Sequence, residues 1–343
     1  YSLSEGQEQI LSAKSVTGQS AWIRYFDETL GSATFRYAGK DKSEQEVLSL
    51  LHDPNREVRR EAHVSLSDGF NKLSRSLTFI FNTLLADKAT NDELRGYPSW
   101  IHARNLSNET DEITVNALVK AVTGHYEWAQ RYYKLKSKLL GIEDFKDFDR
   151  YAPLKKTETT IPWEQARSMV LDAYDEFSPK MAEIAARFFD EKWIDAAIRP
   201  GKRGGAYSAG TVPSVHPYVF MNYDGRLRDV QTLAHELGHG VHQFLSRKQG
   251  VLQSSTPLTT AETASVFGEM LVFQRLLKQL DDPMEELALL MSKIDDTIAT
   301  VFRQISMNRF EESIHIARRN EGELTTERFS ELWKTEQEKL YGP

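Results

Sequence analysis

The chain has 343 residues, with 43 Lys and Arg against 50 Asp and Glu, a net charge of −7, and no cysteine. That balance argues against nucleic acid and anionic membrane surfaces as partners. The lack of thiols excludes a disulfide framework, and no uncharged apolar run approaches the roughly 18 residues of a membrane span.

A chain of this length buries a substantial core and ordinarily divides into more than one lobe. Helical periodicity dominates it: residues 44 to 52, 55 to 88, 110 to 140 and 163 to 193 each carry apolar positions at helical spacing, often with Asp, Thr or Pro near their starts. Residues 30 to 38 read as a short extended pair. The clearer β signal is 203 to 223, where Gly204, Gly205 and Gly210 flank the alternating Ala206-Tyr207-Ser208-Ala209 and Val215 to Tyr223 forms a second strand. These glycines fit two readings, a tight turn that needs positive φ or an edge that lets a substrate backbone approach and pair by β-augmentation. Tyr207, His216, Tyr218 and Tyr223 are candidate lining groups, and Lys202 with Arg203 reads as a solvated turn.

The next helix, 226 to 247, repeats Leu227, Val230, Leu233, Ala234, Leu237, Val241, Phe244 and Leu245 at helical spacing with no proline between 218 and 256. It also contains His235-Glu236-Leu237-Gly238-His239. Positions i and i+4 of a helix lie one above the other, so His235 and His239 can direct one nitrogen each at a single metal ion. Glu236 projects about 100° away round the helix, the placement of a general base acting on water rather than of a ligand. A helix buried on one side needs a reason to carry His235, Glu236, His239 and His242 near a core, because an unsatisfied buried polar atom costs roughly 1 to 3 kcal/mol. Metal ligation supplies one. His242 lies seven residues beyond His235, a rise of about 10.5 Å, too far to share an ion whose bonds to nitrogen are about 2.0 to 2.1 Å. It reads as a substrate-contacting or supporting group, or as packing.

Residues 259 to 280 open a further helix with Thr259-Thr260-Ala261-Glu262-Thr263-Ala264-Ser265. Thr259 and Glu262 fit a capping box, which would bind the carboxylate to a backbone N–H. A glutamate one loop beyond the pentad is also where a two-His-one-Glu zinc centre finds its third ligand, and that is the role expected of Glu262. Glu269, two turns on and on the same face, reads either as an acceptor for the free N–H of a ligand histidine or as a solvated or structural residue. Residues 284 to 318 and 325 to 340 complete the helices, and His315 reads as structural.

Asp229-Val230-Gln231-Thr232-Leu233-Ala234 leading into the pentad, Gly240-Val241-His242 after it, and Ala261-Glu262-Thr263-Ala264-Ser265 together resemble the oligoendopeptidase F branch of the thimet oligopeptidase family. So do Gly201 to Ser208 before Pro217-Tyr218-x-x-x-Asn222, Leu51 to Arg60, Gly96-Tyr97-Pro98-Ser99 and Asn105-Leu106-Ser107-Asn108. The resemblance implies a mainly α, two-lobed helical zinc metallopeptidase with a small β-sheet beside the active-site helix. It implies an N-terminal helical portion over 1–75 and a peptidase region over 76–343, with the zinc site inside 200–280. It also implies one Zn²⁺ per chain and short peptides as substrates, because helical lobes enclose a deep channel.

Family members carry a later tyrosine-rich segment with a histidine that stabilises the tetrahedral intermediate. The chain ends at Tyr341-Gly342-Pro343 without it and begins at Tyr1 without methionine, so a central fragment of a longer protein is expected. The expected activity is endopeptidase cleavage of short peptides, with no nucleic acid or membrane partner, and the expected location is the cytoplasm. Nothing in the sequence sets an oligomeric state. The alternatives are a metallocarboxypeptidase of similar fold and a peptide-binding module without catalysis.

Overall fold

The computed structural model describes residues 1–154, 160–199 and 202–342; Gly201, quoted above at the head of the glycine segment, lies outside the described residues. In chain order the elements are α1 (Glu5–Ser15), α2 (Gln19–Gly31), β1 (Phe35–Tyr37), β2 (Lys40–Lys42), α3 (Glu44–Leu50), α4 (Arg56–Arg95), α5 (His102–Ser107), α6 (Glu112–Thr123) and α7 (Tyr126–Leu140). There follow α8 (Trp163–Phe177), α9 (Pro179–Asp190), β3 (Ile194–Asp195), β4 (Tyr207–Ala209), β5 (Tyr218–Phe220), α10 (Leu227–Ser246), α11 (Leu258–Lys278), α12 (Pro283–Thr297), α13 (Gln304–Glu321) and α14 (Thr326–Tyr341). They form two compact units, Tyr1–Lys155 with Leu290–Pro343, and Lys156–Leu289. No helix of the described residues is long and apolar enough to cross a membrane.

In the first unit α4 runs 40 residues, from an Asn55 side chain that accepts the Glu57 N–H at 2.9 Å to Gly96, whose φ of 66° closes the helix. It continues past residue 88, where the periodicity fades into polar residues, because Asp92 is buried between Lys88 and Arg319. Residues 75 and 76 therefore lie in mid-helix. Two expected helices are broken. Residues 110 to 140 split at Gly124-His125 into α6 and α7, and α5 is an additional short helix. The extended pair forms four to five residues later than read, as a hairpin in which Tyr37 pairs with Lys40 across Ala38 and Gly39, both at positive φ, the geometry that matches strand twist in a two-residue turn. Residues 284 to 318 are α12 and α13 joined by a π-helical turn, Ile298–Arg303.

The second unit is built on Val170, Tyr174, Phe188, Trp193, Leu233 and Leu237, all 5 % exposed or less. Its expected helix over 163 to 193 is interrupted at Ser178, whose extended backbone lets Pro179 open α9. The sheet has the order β3-β5-β4. β3 is parallel to β5, and β4 is antiparallel to it with Tyr207 opposite Phe220, Ser208 opposite Val219 and Ala209 opposite Tyr218. The side chains of Val219 and Met221 enter the core beneath.

Helices α10 and α11 approach closely because two glycines face each other's backbones. A Cβ on Gly238 would lie 2.5 Å from the Ala264 carbonyl oxygen and 2.7 Å from the Ser265 Cα, and one on Gly268 would strike the Tyr174 hydroxyl and the Ala234 carbonyl. Gly238→Ala in a helix interior ordinarily stabilises by up to about 1 kcal/mol. Here it is expected to destabilise by roughly 1 to 3 kcal/mol, because backbone on the far side cannot give way. Urea denaturation of the variant reads the sign directly, and a neutral or stabilised protein would show that the helices do not meet at this point.

Candidate active site

α10 starts at Leu227 because the Asp229 carboxylate reaches back to the N–H groups of Asp224 at 2.8 Å and Arg226 at 3.0 Å, relieving two donors that the helix cannot satisfy itself. α11 starts at Leu258 after Pro257. Thr259 therefore already stands inside the first turn, and the capping box weighed for Thr259 and Glu262 is not the N-cap of this helix. The Glu262 carboxylate instead accepts the Ser265 hydroxyl at 2.8 Å and turns toward α10.

There Glu262 Oε2 lies 3.3 Å from His235 Nε2 and 3.5 Å from His239 Nε2. One donor atom from each of these three residues lies within 4.8 Å of the other two, so two imidazole nitrogens and one carboxylate oxygen converge on one point. This donor set suits zinc, which takes nitrogen and oxygen ligands and in hydrolytic centres leaves one position open. Glu269 Oε2 stands 3.3 Å from His235 Nδ1, which leaves Nε2 as the nitrogen directed at that point. The Tyr174 hydroxyl donates to the Ala234 carbonyl at 2.6 Å, holding the turn that precedes the pentad.

The charges around this point differ by residue. Glu236 is only 6 % exposed, and its Oε2 has no hydrogen-bond partner among the described residues. Burial pushes its carboxyl up to about 7, with His235 opposing and Glu262 adding to the shift. Burial also disfavours the charged form of both ligand-side imidazoles. At His235 the Glu269 contact and the nearby carboxylates outweigh it and the pKa is raised. At His239, where Glu262 opposes burial but His235 reinforces it, the pKa falls. His242 is not part of the converging group; its Nδ1 is buried without a partner among the described residues, and burial lowers its pKa.

Gly204 and Gly205 form the turn into β4. Gly205 has φ 84°, so the turn reading holds there and Gly205 requires its glycine for conformation, while a Cβ on Gly204 meets nothing within 4 Å. Ala206 packs on the core. Tyr207 is exposed and stacked on Phe220 with ring centroids 5.0 Å apart. His216 stacks on Trp193 at 4.1 Å and touches the Tyr218 ring at 4.3 Å. The Tyr223 hydroxyl donates to the Ile161 carbonyl at 2.7 Å, which makes Tyr223 a packing residue. His315, in the first unit, stacks on Trp100.

The solvated turn expected at Lys202 is absent. Its side chain is 3 % exposed and donates to the carbonyls of Asp195, Ala197 and Met221 and to the Asp195 carboxylate. The Asn222 side chain donates to the carbonyls of Arg203 at 3.0 Å and Gly205 at 3.2 Å. These two residues fix the glycine turn. Only Asn222 left a trace in the sequence, as the end of the Pro217-Tyr218-x-x-x-Asn222 strand.

The family model described as peptidase family M3 matches residues 49–343, and that described as oligopeptidase F matches residues 1–35. The chromosomal oligoendopeptidase F of Lactococcus lactis subsp. cremoris is 32 % identical over 86 % of this chain and 49 % of its own length. Oligopeptidase PepF of Bacillus subtilis is 28 % identical over 99 % of this chain and 52 % of its own. Among solved structures, a Chlamydophila abortus protein titled as a peptidase superposes with a TM-score of 0.83 at 25 % identity, covering 99 % of this chain and 58 % of that one. Oligoendopeptidase-F from Enterococcus faecium gives a TM-score of 0.68 at 21 % identity, with 99 % and 56 % coverage. The chain spans about half the length of the curated relatives it matches.

Proposed function

We propose, since this chain belongs to peptidase family M3, that it cleaves internal bonds of short peptides with one zinc ion held by His235, His239 and Glu262. The observation that carries this reading is the convergence of those three donor atoms beside a buried carboxylate that no hydrogen bond occupies. Zinc at such a donor set supplies a Lewis acid that acidifies water and polarises a carbonyl.

The chain's own residues do the rest. Glu236 Oε2 accepts a proton from the attacking water and passes it to the departing amine. Its neighbour His235 keeps Nε2 directed at the metal because Nδ1 faces Glu269. The substrate main chain lies along β4, which among the described residues pairs with β5 on one side only, so recognition depends weakly on peptide sequence. The limit to short peptides rests on the family resemblance.

In the full-length protein, Glu236→Gln is expected to keep one zinc per chain and lose roughly 10²- to 10⁴-fold in turnover, while His235→Ala loses metal and activity together. Elemental analysis beside hydrolysis of an end-blocked peptide separates the two, and equal metal loss in both would remove Glu236 from its role. The peptide edge is read with substrates methylated at single backbone amides. The methyl group on a pairing N–H should slow cleavage far more than a change in the neighbouring side chains. Gly204→Val should hinder approach with zinc retained, and is a cleaner probe than Gly205→Val, which strains the backbone by itself. Tolerance of methylation combined with a requirement for a free C-terminal carboxylate would make the protein a carboxypeptidase.

A further inference from the structure

β4 presents fewer open hydrogen-bonding groups than an edge strand normally does. The Val219 N–H donates to the Trp193 carbonyl at 2.9 Å, so Val219 serves β3, and by alternation Tyr218 and Phe220 serve β4 through their partners Ala209 and Tyr207. The main-chain groups of Ser208 therefore point away from the sheet. Those of Ala206 do the same, since the Gly205 carbonyl is turned inward to Asn222.

Two of the outward acceptors are already engaged. The Gln243 side-chain amide donates to the Ser208 carbonyl at 3.2 Å and accepts the Ser208 hydroxyl at 2.8 Å. The Thr211 hydroxyl donates to the Gly210 carbonyl at 2.8 Å. Gln243 stands one helical turn beyond His239 and two beyond His235 on the same face of α10, so this two-bond clamp joins the strand directly to the helix that carries the metal donors.

We propose that Gln243 is a positioning residue: it fixes the edge of β4 at a set height over α10 and, by occupying the Ser208 carbonyl, leaves the Ala206 carbonyl as the acceptor for a single substrate N–H. The inference rests on the peptidase reading above and deepens it by naming the register of the bound peptide. A bidentate side-chain clamp lowers the number of ways an extended peptide can slide along the strand, which is otherwise weakly fixed where neither chain has a patterned face. One register then carries the scissile carbonyl to the metal.

The test uses Gln243→Leu in the full-length protein, with Gln243→Glu, which keeps the acceptor for the Ser208 hydroxyl but removes the N–H, as the second variant. Zinc content should stay at one per chain in both. Amide hydrogen exchange at Tyr207 to Ala209 should accelerate, and kcat/KM for an end-blocked peptide should fall about ten-fold, the loss of one well-placed hydrogen bond. Wild-type protein should show one sharply sensitive position when substrate amides are methylated one at a time, and both variants should spread that sensitivity over two positions. A merely structural glutamine would leave the methylation pattern unchanged. An unaltered methylation pattern in Gln243→Leu, whatever its kcat/KM, or unchanged exchange in β4, overturns the proposal. A wild-type protein that binds zinc but cleaves nothing overturns the peptidase reading instead. The positioning claim is then decided by the affinity for a non-hydrolysable peptide analogue, which it requires to weaken about ten-fold in the variants and which, if equal, refutes it.

Discussion

Everything at the candidate centre depends on how closely α10 can approach α11. A carboxylate reaches two imidazoles one loop away only if the backbones nearly touch, and they do so where Gly238 lies against Ala264 and Ser265 and where Gly268 lies against Ala234. The contact is reinforced rather than loose: Tyr174 reaches across from α8 to the Ala234 carbonyl, and Ser265 holds the Glu262 carboxylate from its own helix. Replacing glycine by any residue but proline in a helix normally raises stability, so two glycines in the facing stripes are explained by geometry and by little else.

The same closeness creates an electrostatic problem that organises the site. Three carboxylates, the buried Glu236, the partly buried Glu269 and the solvent-facing Glu262, gather round two histidines at the margin of an apolar core. Charged groups are tolerated there only when paired or bound to a cation. His235 shares its two nitrogens between Glu269 and Glu262, and His239 faces Glu262, which accounts for two of the three. Glu236 is left with a buried oxygen lacking any partner among the described residues. The function proposed above answers both features together: a divalent cation at the converging donors would balance the charge, and the unpartnered Glu236 oxygen would be the group that handles a proton.

How much of this was legible follows from distance along the chain. The pentad is local, and helical spacing alone aligns His235 with His239. Glu262 needed a rule about the next helix, and its competing capping role was settled only by the position of Pro257, which puts Thr259 past the cap. The breaks at Gly124 and at Ser178-Pro179 were written in the sequence, yet apolar periodicity on both sides masked them. Lys202 was misread for a different reason. A lysine beside an arginine and two glycines has the composition of a solvated turn, and nothing in that composition reveals that the carbonyls of residues 195, 197 and 221 converge on its ammonium group. Burial of a cation by backbone acceptors from distant segments leaves no periodic trace.

Gln243 belongs to the same class, and its position shows why polar side chains on α10 need separate explanations. On α10 the core stripe of Val230, Leu233, Leu237 and Val241 packs the second unit, while the adjoining stripe carries His235, His239 and Gln243 at successive turns. The first two address the point where Glu262 converges and the third addresses the strand. On the proposed reading, one helix sets both the place of the metal donors and the height of the peptide edge, and no loop intervenes between His239 and Gln243. Elements that place reacting groups on regular structure hold them more closely than loops do. Ser208 is tied to His239 through one glutamine side chain and one helical turn.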